Sequence, residues 1–335
     1  MTEEKSVSII GSGRMGVGIA TALLSSRQPM RIRMLDVKAR EMGQEQSALR
    51  QAKHEIESNL TLLSQLGELD AEPSKPMSRI SFHSGYDEVL RECSIVFEAL
   101  PEKPALKQAF VDQVEPLIDR SAIIASATST IDLGTFCKAA SAPERIVTAH
   151  WLNPAFIIPL VEVSVGAKTA DWAEDRIKRF LIAVGKIPVT VKDSPGFIVP
   201  RIQVAAMNEA VRILEEGIAT AEDIDTAIKA GFGFRLAVLG LIEFIDLGGL
   251  DILYHASNYL FDKFKQDHYK PMPSVTEKMN KGEIGPKTGK GYFDYSEIDA
   301  ASMFRDRYKA FLELLNLVRN SQTLSFQGGI RKTAT

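Results

Sequence analysis

The chain of 335 residues is 45% hydrophobic and 25% charged, an ordinary globular balance in a length that suits two domains. A formal net charge of −3 excludes the strongly basic surface of a nucleic-acid or membrane-surface binder, so neither is an expected partner. Two cysteines, Cys93 and Cys137, exclude a disulfide framework and a cysteine-based metal centre; no metal is expected, and a reducing, cytoplasmic compartment fits.

Residues 1–5 are polar and acidic and run straight into a strand, which predicts neither a secretory signal nor a mitochondrial presequence. Residues 7–10 read as a buried strand, 15–24 as a helix and 32–36 as a strand that ends on an acid. Short apolar runs follow at 80–83, 95–99, 122–125, 146–150, 160–163 and 187–191, with helical patterns at 106–114 and 133–140. Such alternation predicts a parallel sheet with helices on its faces. The longest apolar runs, such as 236–245, are too short to span a bilayer.

A long polar helical stretch, 39–67, interrupts this rhythm. It predicts a helical hairpin inserted over about 39–75 and projecting from the sheet. The insert and its approach carry Lys38, Arg40, Arg50 and Lys53. These are either a solvated helix face or a cationic flap over a phosphate-bearing substrate.

The composition changes at Asp193-Ser194-Pro195-Gly196. Beyond it the pattern is helical at 198–216, 221–230, 238–244 and 251–264. Thr220 and Asp223 suit a helix N-terminus, and Gly217 and Gly231 suit C-terminal stops. The expected domains are 1–192, an all-α domain over 193–300, and a C-terminal tail over 301–335, mobile from 321. The apolar surface of the helical domain suits completion by a second copy, so a homodimer is expected.

Gly11-Ser12-Gly13-Arg14-Met15-Gly16 follows a strand and opens a helix. In a dinucleotide site the first Gly makes the turn and the second lets backbone approach the pyrophosphate. The third lets helix and strand pack, and the helix N-terminus faces the phosphates. Asp36 ends the next strand, where an acid accepts the ribose hydroxyls and repels a 2′-phosphate. The fold class predicted is therefore α/β, a Rossmann-type doubly wound sheet with NAD as cofactor, followed by the all-α domain.

His150 ends a strand and Glu162 ends the next apolar run. Oxidising an alcohol by hydride transfer also requires a proton acceptor, and neutral imidazole suits that role near pH 7. A carboxylate on the other ring nitrogen holds the tautomer and stabilises the imidazolium. Asn153 and Pro154 fall in a connection that can fold back to join the two.

These segments, with Phe97-Glu98-Ala99-Leu100-Pro101-Glu102, Lys192-Asp193-Ser194-Pro195-Gly196-Phe197 and Lys287-Thr288-Gly289-Lys290-Gly291-Tyr292-Phe293-Asp294-Tyr295, resemble the L-3-hydroxyacyl-CoA dehydrogenases in order, from about residue 6 to 296. The resemblance implies His150 as general base, Glu162 as its partner, Asn153 on the nicotinamide side, and Ser129 bonding the substrate oxygen. It implies Glu102 and Lys107 as cofactor contacts, and the insert with Arg50 and Lys53 as the coenzyme A region.

Three departures stand out. Pro200 and Ala127 occupy positions where that family has Asn. Gly231-Phe232-Gly233-Phe234-Arg235 is more similar to the carnitine and gulonate dehydrogenase branch, which includes structural lens proteins. There Arg235 would pair a substrate carboxylate. The leading expectation is oxidation of an L-3-hydroxyacyl-CoA. A free 3-hydroxy carboxylate is the same-chemistry rival, and a non-catalytic NAD-binding structural or sensor protein is the remote one.

Overall fold

Strands that are apolar along their whole length need cover on both faces, and the sheet of this protein has it. The computed structural model describes residues 6–38, 44–86, 88–321 and 323–326. Residues 1–5, Arg40 and the end of the tail lie outside them. The chain divides into two units, Met1–Ala205 and Ala206–Thr335.

The first unit runs β1 (Ser6–Ile10), α1 (Arg14–Ser25), β2 (Arg31–Asp36), α2 (Gln44–Gln65), α3 (Ser74–Met77), β3 (Ile80–Ser84), β4 (Ile95–Glu98), α4 (Pro104–Val114) and β5 (Ile123–Ser126). It continues through α5 (Leu133–Phe136), β6 (Ile146–Trp151), β7 (Leu160–Val165), α6 (Asp171–Ala183), β8 (Ile187–Lys192) and the first turns of α7 (Val199–Glu215). The sheet order is β3-β2-β1-β4-β5-β6-β7-β8. Pairing is parallel except between β6 and β7, which are antiparallel.

Alternate residues of one strand enter opposite cores. Ile9, Phe97 and Ile123 join α1, α2 and α6 through Ile19, Leu23, Ile56, Leu60, Ile177 and Leu181. Ile10, Val96 and Ile124 join α4 and α5 through Phe110, Val111, Val114, Leu133 and Phe136. The chain reverses its winding at β1, between β2 and β4, and the glycine loop follows β1. Doubly wound sheets bind dinucleotides at such a switch point.

The insert differs from the projecting hairpin expected. Its described part is one 22-residue helix, α2, and a single turn, α3. Ala52, Ile56, Leu60 and Leu63 of α2 are buried. Their three- and four-residue spacing makes an apolar stripe that seats the helix on the core.

The second unit contains α8 (Ala221–Ala227), α9 (Gly233–Leu236), α10 (Leu241–Gly248), α11 (Leu250–Phe264), α12 (Pro273–Lys281) and α13 (Ala300–Asn320). Thr220 caps α8 by accepting from the Asp223 amide at 3.1 Å. Gly231 does not stop a helix: it lies in a π-helical turn, Ile228–Phe232, that leads into α9. Residues 238–244 are not one helix, because Gly240 is the cap of α10. Where a tail was expected, α13 forms a 21-residue helix. Phe311 and Phe326 pack on Phe234, with ring centroids 5.7 and 5.5 Å apart. Asp246, buried, accepts from the amides of Tyr292 and Phe293 at 2.9 Å and from the Tyr295 hydroxyl at 3.2 Å. That carboxylate folds the Lys287–Tyr295 segment, which is why a glycine is needed at position 291: a Cβ on Gly291 would lie 2.4 Å from Asp246 Oδ1. No helix among the described residues is long and apolar enough to cross a membrane.

Candidate active site

The antiparallel register of β6 and β7 sets His150 directly opposite Glu162. His150 is 7% exposed and Glu162 0%. The imidazole Nδ1 lies 2.8 Å from Glu162 Oε2. The amides of Ile198 and Val199, at the start of α7, both donate to Glu162 Oε1 at 2.9 Å. A buried carboxylate is costly unless its oxygens are satisfied, and here a helix N-terminus and the imidazole do so together. With the carboxylate accepting, Nδ1 carries the proton and Nε2 keeps the basic lone pair.

Phe197 closes one side of the imidazole, with ring centroids 5.6 Å apart. It holds φ at +43°, after Gly196 at +74°. Positive φ is rare for a bulky residue and persists only where its surroundings enforce it. Asp193 supplies part of that enforcement: its carboxylate accepts from the amides of Leu133 at 3.0 Å and Gly134 at 3.4 Å.

Ser129 sits in the loop after β5, and Glu102 holds that loop. Glu102 Oε1 accepts from the amides of Ser129 and Thr130 at 3.1 Å, and from the hydroxyls of Thr130 at 3.0 Å and Thr128. Partial burial alone would raise the Glu102 carboxyl. The Thr128 hydroxyl, the Lys107 ammonium and Thr130 outweigh it and bring the pKa down to about 2. Ser129 does not cap α5, because Asp132 does, accepting from the Thr135 amide at 2.7 Å.

Lys107 is 1% exposed. Its ammonium lies 2.9 Å from both oxygens of Glu98 and 3.2 Å from Glu102. Of the two expected cofactor contacts, only Glu102 therefore stands on the cavity wall. Lys107 is the interior counter-ion that neutralises two carboxylates beneath it.

The residues around the glycine loop fit a dinucleotide. Gly11 has φ +117°, and a Cβ there would lie 2.5 Å from the Ala99 carbonyl. A Cβ on Gly16 would strike the Gly11 carbonyl, whereas one on Gly13 would meet nothing within 4 Å. Gly13 therefore borders open space at the N-terminus of α1, where no side chain caps the helix amides. Those amides suit a pyrophosphate. Asp36 is buried at the end of β2 and accepts from the Lys38 amide at 3.3 Å.

A cavity of about 610 Å3 lies between the start of α1 and the loops after β4, β5 and β6. Arg14, Met15, Glu102, Ser129, His150 and Asn153 all line it. Arg50 and Lys53 are exposed on α2 and do not line it; Lys53 pairs with Glu57 at 3.9 Å. Arg235 is exposed in the second unit, its guanidinium 5.4 Å from the Phe244 ring centroid. Pro200 also lines the cavity, in the first turn of α7, where a missing amide is tolerated. Gln203, one turn later, lines it too and brings an amide. Sequence reasoning missed Gln203, Glu98 and Phe197 as site residues. The available signal was position: Glu98 ends a buried strand, and Gln203 is three residues from Pro200 on one helix face.

A doubly wound sheet with this glycine loop, a strand-end acid and a buried His-Glu pair whose imidazole lines the cavity defines a nicotinamide-dependent dehydrogenase. The model of the 3-hydroxyacyl-CoA dehydrogenase NAD binding domain matches residues 6–194, and that of the C-terminal domain matches residues 196–295. The chain belongs to the 3-hydroxyacyl-CoA dehydrogenase family, an oxidoreductase family, and its cofactor is NAD. It is 32% identical to a 5-formyl-3-hydroxy-2-methylpyridine 4-carboxylate 5-dehydrogenase of Mesorhizobium japonicum, over 95% of this chain and 99% of that protein. It is 31% identical to a probable 3-hydroxybutyryl-CoA dehydrogenase of Deinococcus radiodurans, over 86% of this chain and 99% of that protein. The crystal structure of a 3-hydroxyacyl-CoA dehydrogenase from Archaeoglobus fulgidus superposes with a TM-score of 0.74 at 32% identity, covering 93% of this chain and 99% of that chain.

Proposed function

We propose that this chain interconverts an L-3-hydroxyacyl-CoA and its 3-oxoacyl-CoA. The observation that carries the reading is the His150-Glu162 pair, anchored on α7 and opening on the cavity that Ser129 and Asn153 share. NAD, held by the Gly11–Gly16 loop and Asp36, would supply the hydride acceptor for C3 of the alcohol and, in its reduced form, the hydride donor for the ketone. His150 Nε2 takes the hydroxyl proton, and Glu162 stabilises the imidazolium that results. In the other direction Ser129 and His150 donate to the C3 oxygen, and His150 returns the proton.

Gly11, Gly13, Arg14, Met15 and Gly16 hold the pyrophosphate in this reading, and Asp36 the ribose hydroxyls. Glu102 and Asn153 border the nicotinamide, and the exposed cations Arg50 and Lys53 reach the coenzyme A phosphates.

A second reading, a free carboxylate substrate, has its own support. The Mesorhizobium japonicum relative is named for a pyridine carboxylate. Arg14 places a guanidinium on the cavity wall, and a guanidinium suits a carboxylate. Arg235 is the other arginine assigned to that role.

The test is NADH formation or consumption with acetoacetyl-CoA and L-3-hydroxybutyryl-CoA beside free 3-hydroxybutyrate, carnitine, gulonate and a pyridine carboxylate. Turnover of thioesters alone supports the first reading. Turnover of a free acid alone supports the second and overturns the first.

The same reading makes the protein a cytoplasmic homodimer. Its two cysteines are free, and Val204, Met207, Val211 and Leu214 leave apolar side chains exposed along α7, as subunit contacts do. A monomer mass independent of concentration would sink the dimer.

A further inference from the structure

Lys186 lies just before β8 and is 7% exposed. Among the described residues no carboxylate pairs with it. Its ammonium donates to the carbonyl oxygens of Ala155 at 2.7 Å and Ile158 at 2.8 Å. It also stands 5.6 Å from the centroid of the Trp151 ring. Burial pushes its pKa below the usual lysine value. A buried cation without a counter-ion is costly unless its N–H groups are satisfied, and here two backbone carbonyls satisfy them.

The two carbonyls belong to residues 152–159, the connection between β6 and β7. That connection starts two residues after His150 and carries Asn153, which borders the His150 cavity and a neighbouring cavity of about 490 Å3. The same connection is seated on the dinucleotide helix. A Cβ on Gly18 of α1 would lie 3.1 Å from Ala155 Cβ, so the bare glycine admits Ala155. Within the connection, the amides of Ile157 and Ile158 both donate to the Pro154 carbonyl at 2.9 Å, forming a compact turn. Two carbonyl bonds and a contact with Trp151, the neighbour of His150, thus converge on one ammonium.

We propose that Lys186 is a positioning residue that clamps this connection and so sets where Asn153 stands in the cavity. The proposal rests on the reading that His150 and Asn153 face the reacting groups. Lys186 touches none of them itself. It acts through the two carbonyls, and its loss moves the cavity wall while leaving the pyrophosphate loop in place.

The experiment compares the full-length wild type with K186M and K186Q. It uses hydrogen exchange of residues 152–158, NADH affinity by fluorescence, and kcat and KM for acetoacetyl-CoA with NADH. In K186M, exchange in the connection should rise about tenfold while the sheet amides are unchanged. KM should rise and kcat/KM should fall between about 10- and 100-fold, with NADH affinity retained. K186Q keeps two N–H donors and should recover part of both effects. Unchanged exchange in the variants overturns the clamp. Looser exchange with wild-type kcat/KM overturns its role in positioning. If K186M does not fold, K186Q against the wild type decides by the same readouts. A wild type inactive on acetoacetyl-CoA refutes the thioester reading alone, and exchange still decides the clamp.

Discussion

Glu162 lies directly across the β6–β7 ladder from His150 and divides its two oxygens between the imidazole and the first amides of α7. Each oxygen has a distinct role. One fixes the proton on Nδ1, and the other is held by amides that can only donate.

That division makes Glu162→Gln informative. The amides of Ile198 and Val199 will bind the carboxamide oxygen, which turns its NH2 toward His150 Nδ1. Nδ1 must then accept, and Nε2 carries a proton in the neutral ring. The expected loss in kcat is about 10²- to 10⁴-fold, with NADH affinity unchanged by fluorescence titration. His150→Gln should lose as much. Near wild-type turnover in either variant would remove the pair from the mechanism.

Gly13→Asp separates folding from cofactor binding. The added side chain enters open space on a backbone with φ −81°, so the melting temperature should stay within about 2 °C of wild type. The new carboxylate faces the pyrophosphate, and the NADH dissociation constant should rise at least about tenfold. Gly11→Ala should do the opposite, losing stability through its contact with the Ala99 carbonyl and its φ of +117°.

Glu102 links the Ser129 loop to acid stability. Its folded pKa of about 2 is depressed from 4.5. The stabilisation it contributes is therefore complete above about 4.5 and lost as pH falls toward about 2. Glu102 is exposed on the cavity wall, so solvent screening makes the effect modest. Urea midpoints of wild type and Glu102→Gln should differ by a constant amount above pH 5 and converge below it. A pH-independent difference would contradict the assignment.

Asp246→Ala tests the second unit. Three donors, the amides of Tyr292 and Phe293 and the Tyr295 hydroxyl, lose one acceptor. The expected cost is about 3 kcal/mol by urea denaturation. A loss within about 0.5 kcal/mol would show that the segment folds without that carboxylate.

Local signals carried the dinucleotide half of the site. Gly11, Gly13, Gly16 and Asp36 are read from a strand, a turn and a helix start within about thirty residues, because backbone clearance and strand ends are local properties. Apolar runs foretold the covered sheet; His150 stands one residue from the end of β6, whereas Glu162, expected at the end of its run, lies inside β7. The tail expected over 301–335 is instead helical through α13, where Met303, Phe304, Phe311 and Leu315 recur at helical spacing; the polar residues beyond 320 mask that period.

Other features needed the tertiary structure. The short connection 152–159 lets the chain fold back, as expected, because parallel neighbours need a longer crossover. Which residues then face each other is decided only by the register of β6 and β7, and that register sets Glu162 opposite His150. Lys107 illustrates the same limit. As a sequence position it is a charge in the first turns of a helix; folded, it is buried between Glu98 and Glu102, and only the assembled charges make it a counter-ion. The sequence by itself determined the class of chemistry, through residue types whose roles follow from their own functional groups and neighbours. The tertiary structure alone decided which groups each charge faces, because electrostatic partners are chosen by distance across the fold.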